Sequence, residues 1–152
     1  MFMESDWQHT ERRINILLLS YWEDLRGDRE MPNEDDLEPD KLGFLWQNCF
    51  LIQVRDIAQG RDYNFTYLGE RIIQAYREGM LSEHNKAIIS PHASHMSEHY
   101  EKVLSTRRPV VQDGQFTSPD GGLIRYRQSF LPLANAEGEI DAIFGGMCFT
   151  YE

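Results

Sequence analysis

Two long apolar runs, residues 122–133 and 139–151, constrain this chain more than any other feature. Both are rich in Ile, Leu, Phe, Tyr and Met, which fit a pleated surface. Ala134-Asn135-Ala136-Glu137-Gly138 lies between them, small and polar with Gly at its end, which is hairpin chemistry. If Leu133 faces Ile140 across the turn, Leu131, Ser129 and Arg127 share one face with Ala142, Phe144 and Gly146. Phe130, Gln128 and Tyr126 then share the other with Ile143, Gly145 and Met147. Both faces are substantially apolar, so 139–151 reads as a central strand covered twice. Gly145-Gly146 removes two neighbouring side chains, which marks either a bulge or a close approach to the backbone, the first sign of a pocket.

The covers must come from earlier in the chain. Residues 5–26 read as a helix, with Trp7, Ile14, Leu17, Leu18, Tyr21, Trp22 and Leu25 at helical spacing and Gly27 closing it. The stripe packs on its own sheet, on the same helix of a second copy, or on both. Trp7, Ile14, Leu18, Tyr21 and Leu25 fall on a near-heptad line, which predicts a homodimer seam, with the inward part sealing Leu131 and Phe144. The acidic stretch 28–40, interrupted by Pro32 and Pro39, reads as a solvated linker. It lacks the glycine at the sixth position that an EF-hand calcium loop requires.

Residues 48–57 and 63–68 read as a hairpin, with Tyr63, Phe65 and Tyr67 alternating onto one face. A helix follows from Gly69 to Gly79 through Ile72, Ile73 and Tyr76, then helical sequence over 82–108 broken at Pro91, then a strand over 109–116. Ser118-Pro119-Asp120-Gly121-Gly122 is a turn into the final hairpin. The order predicts an α+β domain: a five-stranded antiparallel sheet with helices on one face and the N-terminal helix on the other.

Composition sets outer limits. The 152 residues suffice for one domain with a proper core. A formal net charge of -10 makes nucleic acid and anionic membranes poor partners, since binding them needs concentrated basic surface. Cys49 and Cys148, each in an apolar strand, read as buried thiols in a reducing compartment. No basic-then-apolar leader and no membrane-length apolar run occurs, so a soluble cytoplasmic protein is expected.

Several stretches carry a family resemblance: Tyr21-Trp22 through Leu25-Arg26-Gly27 with the acidic stretch after it, Leu45-Trp46-Gln47-Asn48-Cys49-Phe50-Leu51, residues 63–69 ending Tyr-Leu-Gly, Phe130 to Leu133 with the Glu137-Gly138 turn, and Gly145-Gly146. Together they resemble the PAS superfamily, and within it small stand-alone bacterial PAS proteins. These are packing and turn signatures, so they bear on fold rather than chemistry. The resemblance implies an N-terminal helix and acidic linker over 1–40 and a PAS-like domain over 41–152. It implies a sensory or regulatory domain in bacterial signal transduction, binding a small molecule, a signalling protein partner, or both. With Glu152 alone after the last strand, no effector is expected in this chain.

Within that architecture Phe65, Tyr67, Ile72, Tyr76, His95, His99, Tyr126, Gln128 and Phe130 are expected to converge on a ligand. No cofactor is identified. Flavin photosensors of the superfamily carry an Asn-Cys-Arg-Phe-Leu run on a helix, whereas Asn48-Cys49-Phe50-Leu51 lacks the Arg and lies in a strand. His92, His95 and His99 lie on one helical strip and supply the alternative, a metal or haem sensor, against the simpler reading as border residues. A small isomerase or hydrolase would need an acid or base from Asp141, Arg125, Arg127 or these histidines. No nucleophile with a matched base and no phosphate loop is evident, so enzymatic activity is not expected.

Overall fold

The computed structural model describes residues 4–58, 60–77, 94–117 and 121–151. Helix α1 (Glu4–Arg26) is followed by a short 3₁₀ turn (Glu34–Asp36), helix α2 (Pro39–Leu42), a second 3₁₀ stretch (Gly43–Asn48), and strands β1 (Cys49–Ile57) and β2 (Gly60–Leu68). Helices α3 (Glu70–Arg77) and α4 (Ser94–Thr106) precede strands β3 (Val110–Thr117), β4 (Leu123–Ala134) and β5 (Ile140–Tyr151). The five strands form one antiparallel sheet in the order β2-β1-β5-β4-β3, with β5 at its centre.

Each face of the sheet carries its own core, as the two apolar sides of β5 require. On one face Ile14, Leu18 and Trp22 of α1 pack with Leu42, Leu45, Leu131, Leu133 and Phe144. On the other, Ile72 of α3 and Tyr100 and Val103 of α4 pack with Phe50, Ile52, Phe130, Ile143 and Met147. Helix α2 and the 3₁₀ stretch after it therefore share the α1 face.

The final hairpin pairs two residues away from the expected register: Leu131 lies opposite Phe144, and Leu133 opposite Ala142. A bulge between Leu133 and Ala134 makes Asp141 the extra residue. Because strand side chains alternate with period two, an even displacement leaves every residue on its expected face. Odd displacement is what flips a residue, and that occurs at Tyr67. Leu51 pairs with Tyr67 but Ile52 with Phe65, so Thr66 is an extra residue whose hydroxyl donates to the Leu51 carbonyl at 3.3 Å. Tyr67 therefore does not share a face with Phe65, as strict alternation predicts; it stacks on Trp46 on the α1 side, centroids 4.1 Å apart, and donates to the Trp46 carbonyl at 2.8 Å.

Helix α1 is seated on the centre of the sheet by one vacancy and two polar contacts. Leu18 lies over Gly146, where a Cβ would overlap its Cδ1. The buried Ser129 hydroxyl donates to Asn15 Oδ1. Trp22 Nε1 donates to the Pro132 carbonyl at 2.8 Å. Pairing with β3 ends at Val110 and Phe130, so Pro132 lies where β4 has no second neighbour and its missing N–H costs no bond to that strand. The acidic stretch runs along this open edge, with Met31 buried and the Ala134 amide donating to the Pro32 carbonyl at 2.9 Å. It is thus partly a structural strap rather than a wholly solvated linker.

The expected dimer seam is corrected in part. Ile14 and Leu18 are buried against the chain's own sheet, and Tyr21 packs edge-on to Phe144 and accepts the Glu38 amide. The centre of the apolar arc points inward because Gly146 offers the deepest seat. Ile16, Leu17 and Leu19 are the residues left outward, at 65%, 41% and 36% exposure. The side chain of Trp7 lies outside the described residues.

Candidate functional site

The face covered by α3 and α4 holds most of the expected site residues. On β4, Tyr126, Gln128 and Phe130 alternate onto it, opposite Gly114, Gln112 and Val110 of β3 and Phe149, Met147 and Gly145 of β5. Gly145 is neither a bulge nor an empty pocket. It pairs with Phe50 on one side and Phe130 on the other, and the two rings close over it with centroids 5.8 Å apart. A side chain on Gly145 would meet Phe50 Cζ at 2.6 Å and overlap the Ser129 carbonyl.

Aromatic groups continue outward from this point. Phe65 stands edge-on to Phe50 at 6.0 Å, and Tyr100 edge-on to Phe130 at 5.7 Å. His99 lies flat on Phe130, centroids 5.8 Å apart and planes within 9°. Tyr63 contacts Tyr100 at 5.0 Å and donates its hydroxyl to Glu101, which also takes Arg61, so α4 is tied to the far edge of the sheet. Burial and that hydrogen bond push the Tyr63 hydroxyl pKa up, while Tyr63 and Arg61 hold the Glu101 carboxyl below its usual range.

Towards β3 the same face turns polar. Gln128 is fully buried, with Nε2 3.9 Å from Met147 Sδ. Gln112 stands directly opposite it, and Gln112 Oε1 is buried with no hydrogen-bond donor among the described residues. Tyr126 reaches across Gly114, where a Cβ would overlap its hydroxyl, and burial raises its pKa. Glycine is needed there because any side chain would displace the phenol.

Charge is kept off this patch. Val110, Gln112 and Gly114 of β3, Tyr126, Gln128 and Phe130 of β4, and Gly145, Met147 and Phe149 of β5 include no Asp, Glu, Lys or Arg. Arg127 and Asp113 pair at 2.9 Å on the opposite face, where the arginine also holds the aspartate below its ordinary range. The patch offers hydrogen bonds from amides and a phenol beside flat rings, which is chemistry for holding a small organic molecule.

Phe65, Ile72, His99, Tyr126, Gln128 and Phe130 are thus brought to one face, and Tyr67 is not. The side chains of Tyr76 and His95 lie outside the described residues, as does His92. Among the described residues no group of three or more His, Cys, Asp or Glu could hold a metal ion. Gln112 escaped sequence reasoning, although counting back from the turn at 118–122 would have set it opposite Gln128. Cys49 is buried, which pushes its thiol pKa well up, and its Sγ donates to the Leu45 carbonyl at 3.2 Å. It sits on the α1 side, away from this patch.

Residues 10–148 match the PAS domain family. No curated protein matches the chain. Among solved structures, the VqmA–ligand–DNA complex of Vibrio cholera is similar at 20% identity and a TM-score of 0.39, over 74% of this chain and 51% of that one. The periplasmic sensory domain of the Campylobacter jejuni chemoreceptor Tlp1 is similar at 8% identity and a TM-score of 0.32, over 95% of this chain and 53% of that one. The chain thus spans about half the length of each. Among the described residues no helix is long and apolar enough to cross a membrane.

Proposed function

The chain belongs to the PAS domain family, and we propose that it is a sensory domain holding a small molecule between α4 and the sheet and reporting its presence to a protein partner. The observation that carries this reading is the glutamine pair set among aromatic rings, Gln128 fully buried and Gln112 half-buried with its Oε1 enclosed. A face meant only for packing gains nothing from buried amides, because each must be hydrogen-bonded or costs about 1–3 kcal/mol. Amides, a phenol and a ring-stacked imidazole suit holding a ligand rather than transforming it. We therefore read the domain as a binder, not an enzyme.

The test is direct. Protein purified under mild conditions is examined by native mass spectrometry and absorption, and its amide exchange is followed with and without added small-molecule extract of the source cells. Bound mass, or protection of α4 on adding extract, supports the reading. Neither signal, with both amides inaccessible to exchange from the outset, refutes it.

The partner surface is read from α1. Ile16, Leu17 and Leu19 face outward on a helix whose inner side sits on β4 and β5, so a second copy docked there would respond to shifts of the sheet. Sedimentation tests this: a monomer well above micromolar concentration removes the homodimer from the proposal. Glutamate at positions 16, 17 and 19, and not at 18, is the informative variant, because Leu18 is core.

A further inference from the structure

We infer that the inner face selects a small, flat, uncharged ligand that donates an N–H or O–H to Gln112 Oε1. The inference rests on the ligand-binding reading above and adds the chemical class. Three features combine. The Gln112 acceptor is buried without a donor among the described residues, so a ligand bringing one would satisfy a group that those residues leave unmet. Gln128 directly opposite, the Tyr126 phenol and the Met147 thioether are uncharged neighbours, and the nearest ion pair on these strands, Arg127 with Asp113, lies through the sheet on the other side. The rings of His99 and Phe130 are parallel to within 9°, which favours a planar guest beside them.

Exclusion follows from the same groups. A carboxylate would set its charge against a carbonyl oxygen with no Lys or Arg among the strand residues paired around Gln112 and Gln128 to meet it, and its desolvation would be poorly compensated. An ammonium group would find the acceptor but no carboxylate beside it, since the carboxylate of Asp113 lies on the opposite face, paired with Arg127. A neutral ligand without a donor would stack yet leave Gln112 Oε1 unmet, and sites built to hydrogen-bond a donor discriminate strongly against analogues that lack it.

Four 3-substituted pyridines of similar size separate these cases: nicotinamide, methyl nicotinate, nicotinate and 3-picolylamine. Each is titrated against the full chain by saturation-transfer NMR. Nicotinamide is expected to bind at least about tenfold tighter than the other three, a difference of about 1.4 kcal/mol. Gln112→Leu should bring nicotinamide down to the level of methyl nicotinate and leave methyl nicotinate unchanged. Gln112→Glu should shift the preference to 3-picolylamine, and thermal melts check that both variants are folded. Equal or tighter binding of nicotinate or 3-picolylamine to the unaltered chain overturns the inference, as does a nicotinamide preference that survives Gln112→Leu. If none of the four binds, the class is wrong. The neutral dye N-phenyl-1-naphthylamine then decides the underlying reading: fluorescence enhancement that falls in Phe130→Ala, shown folded by its thermal melt, keeps a ligand site, and no enhancement, or one unchanged in that variant, removes it.

Discussion

Leu18 and Gly146 form the contact on which the seating of α1 depends, and a double-mutant cycle measures it. Leu18 is fully buried, so Leu18→Ala should cost about 2–5 kcal/mol through lost burial and the cavity left over the sheet. For a chain of this length that is a fall in Tm of roughly 2–4 °C per kcal/mol. Gly146→Ala alone forces a methyl against Leu18 Cδ1, at an overpacking cost of about 1–3 kcal/mol. Loss of glycine's freedom in the unfolded chain offsets about 0.4–1 kcal/mol of this. In the Leu18→Ala background the obstacle is gone and the methyl enters the vacated space, so Gly146→Ala should become neutral or stabilising. The expected coupling is about 1–3 kcal/mol, read from urea unfolding followed by the fluorescence of Trp22 and Trp46 on the same face. Additivity within about 0.5 kcal/mol would show that α1 does not rest on Gly146 and would refute the reasoning. Gly145→Ala is the control: its methyl meets the Ser129 backbone carbonyl, which cannot rotate away, so it should destabilise more than Gly146→Ala in either background.

Asp141→Asn should stabilise the protein near neutral pH, because burial, with Asp35 and Glu137 nearby, raises the Asp141 pKa in the folded state. Folding then binds that proton more tightly, so stability is lost as pH rises through the window between the ordinary and the raised value. The gain from Asn should vanish below the ordinary carboxylate range, and a gain independent of pH in thermal melts would contradict it. Glu101 has the opposite sign: its lowered pKa contributes stability above the ordinary range that is lost as pH falls through the folded value. Glu101→Ala should cost about 1 kcal/mol, since the pair is half exposed, and should speed amide exchange in α4; unchanged α4 exchange would show that Tyr63 and Arg61 do not anchor it. Trp22→Phe removes the bond to the Pro132 carbonyl and should cost about 0.5–1.5 kcal/mol in urea unfolding, with no cost at all arguing that water replaces the indole there.

Much of the architecture was legible because it follows from short-range periodicity. Alternation in the last two strands assigned Phe130, Gln128 and Ile143 to one face and Leu131, Phe144 and Gly146 to the other, and being apolar on both faces placed the last strand centrally. The helical stripe of α1, its glycine stop at φ +56° and its contact with Leu131 and Phe144 were legible for the same reason. An error of two residues in the hairpin did no damage, since a period of two is blind to it.

What periodicity could not supply is where a period is interrupted and what lies across a gap. One extra residue at Thr66 sends Tyr67 to the opposite face, and nothing local announces it, because the bulge depends on how β1 meets β2. Gly145-Gly146 signalled close approach, but only packing shows that Phe50 and Phe130 fill one side and Leu18 the other. Gln112 became a candidate only when β3 was laid against β4 and it stood directly opposite Gln128. The chain by itself determined which faces its strands and first helix must bury, since burial is decided by each residue's own polarity. Tertiary structure alone decided which polar groups those faces enclose together, because that depends on register between segments distant in sequence.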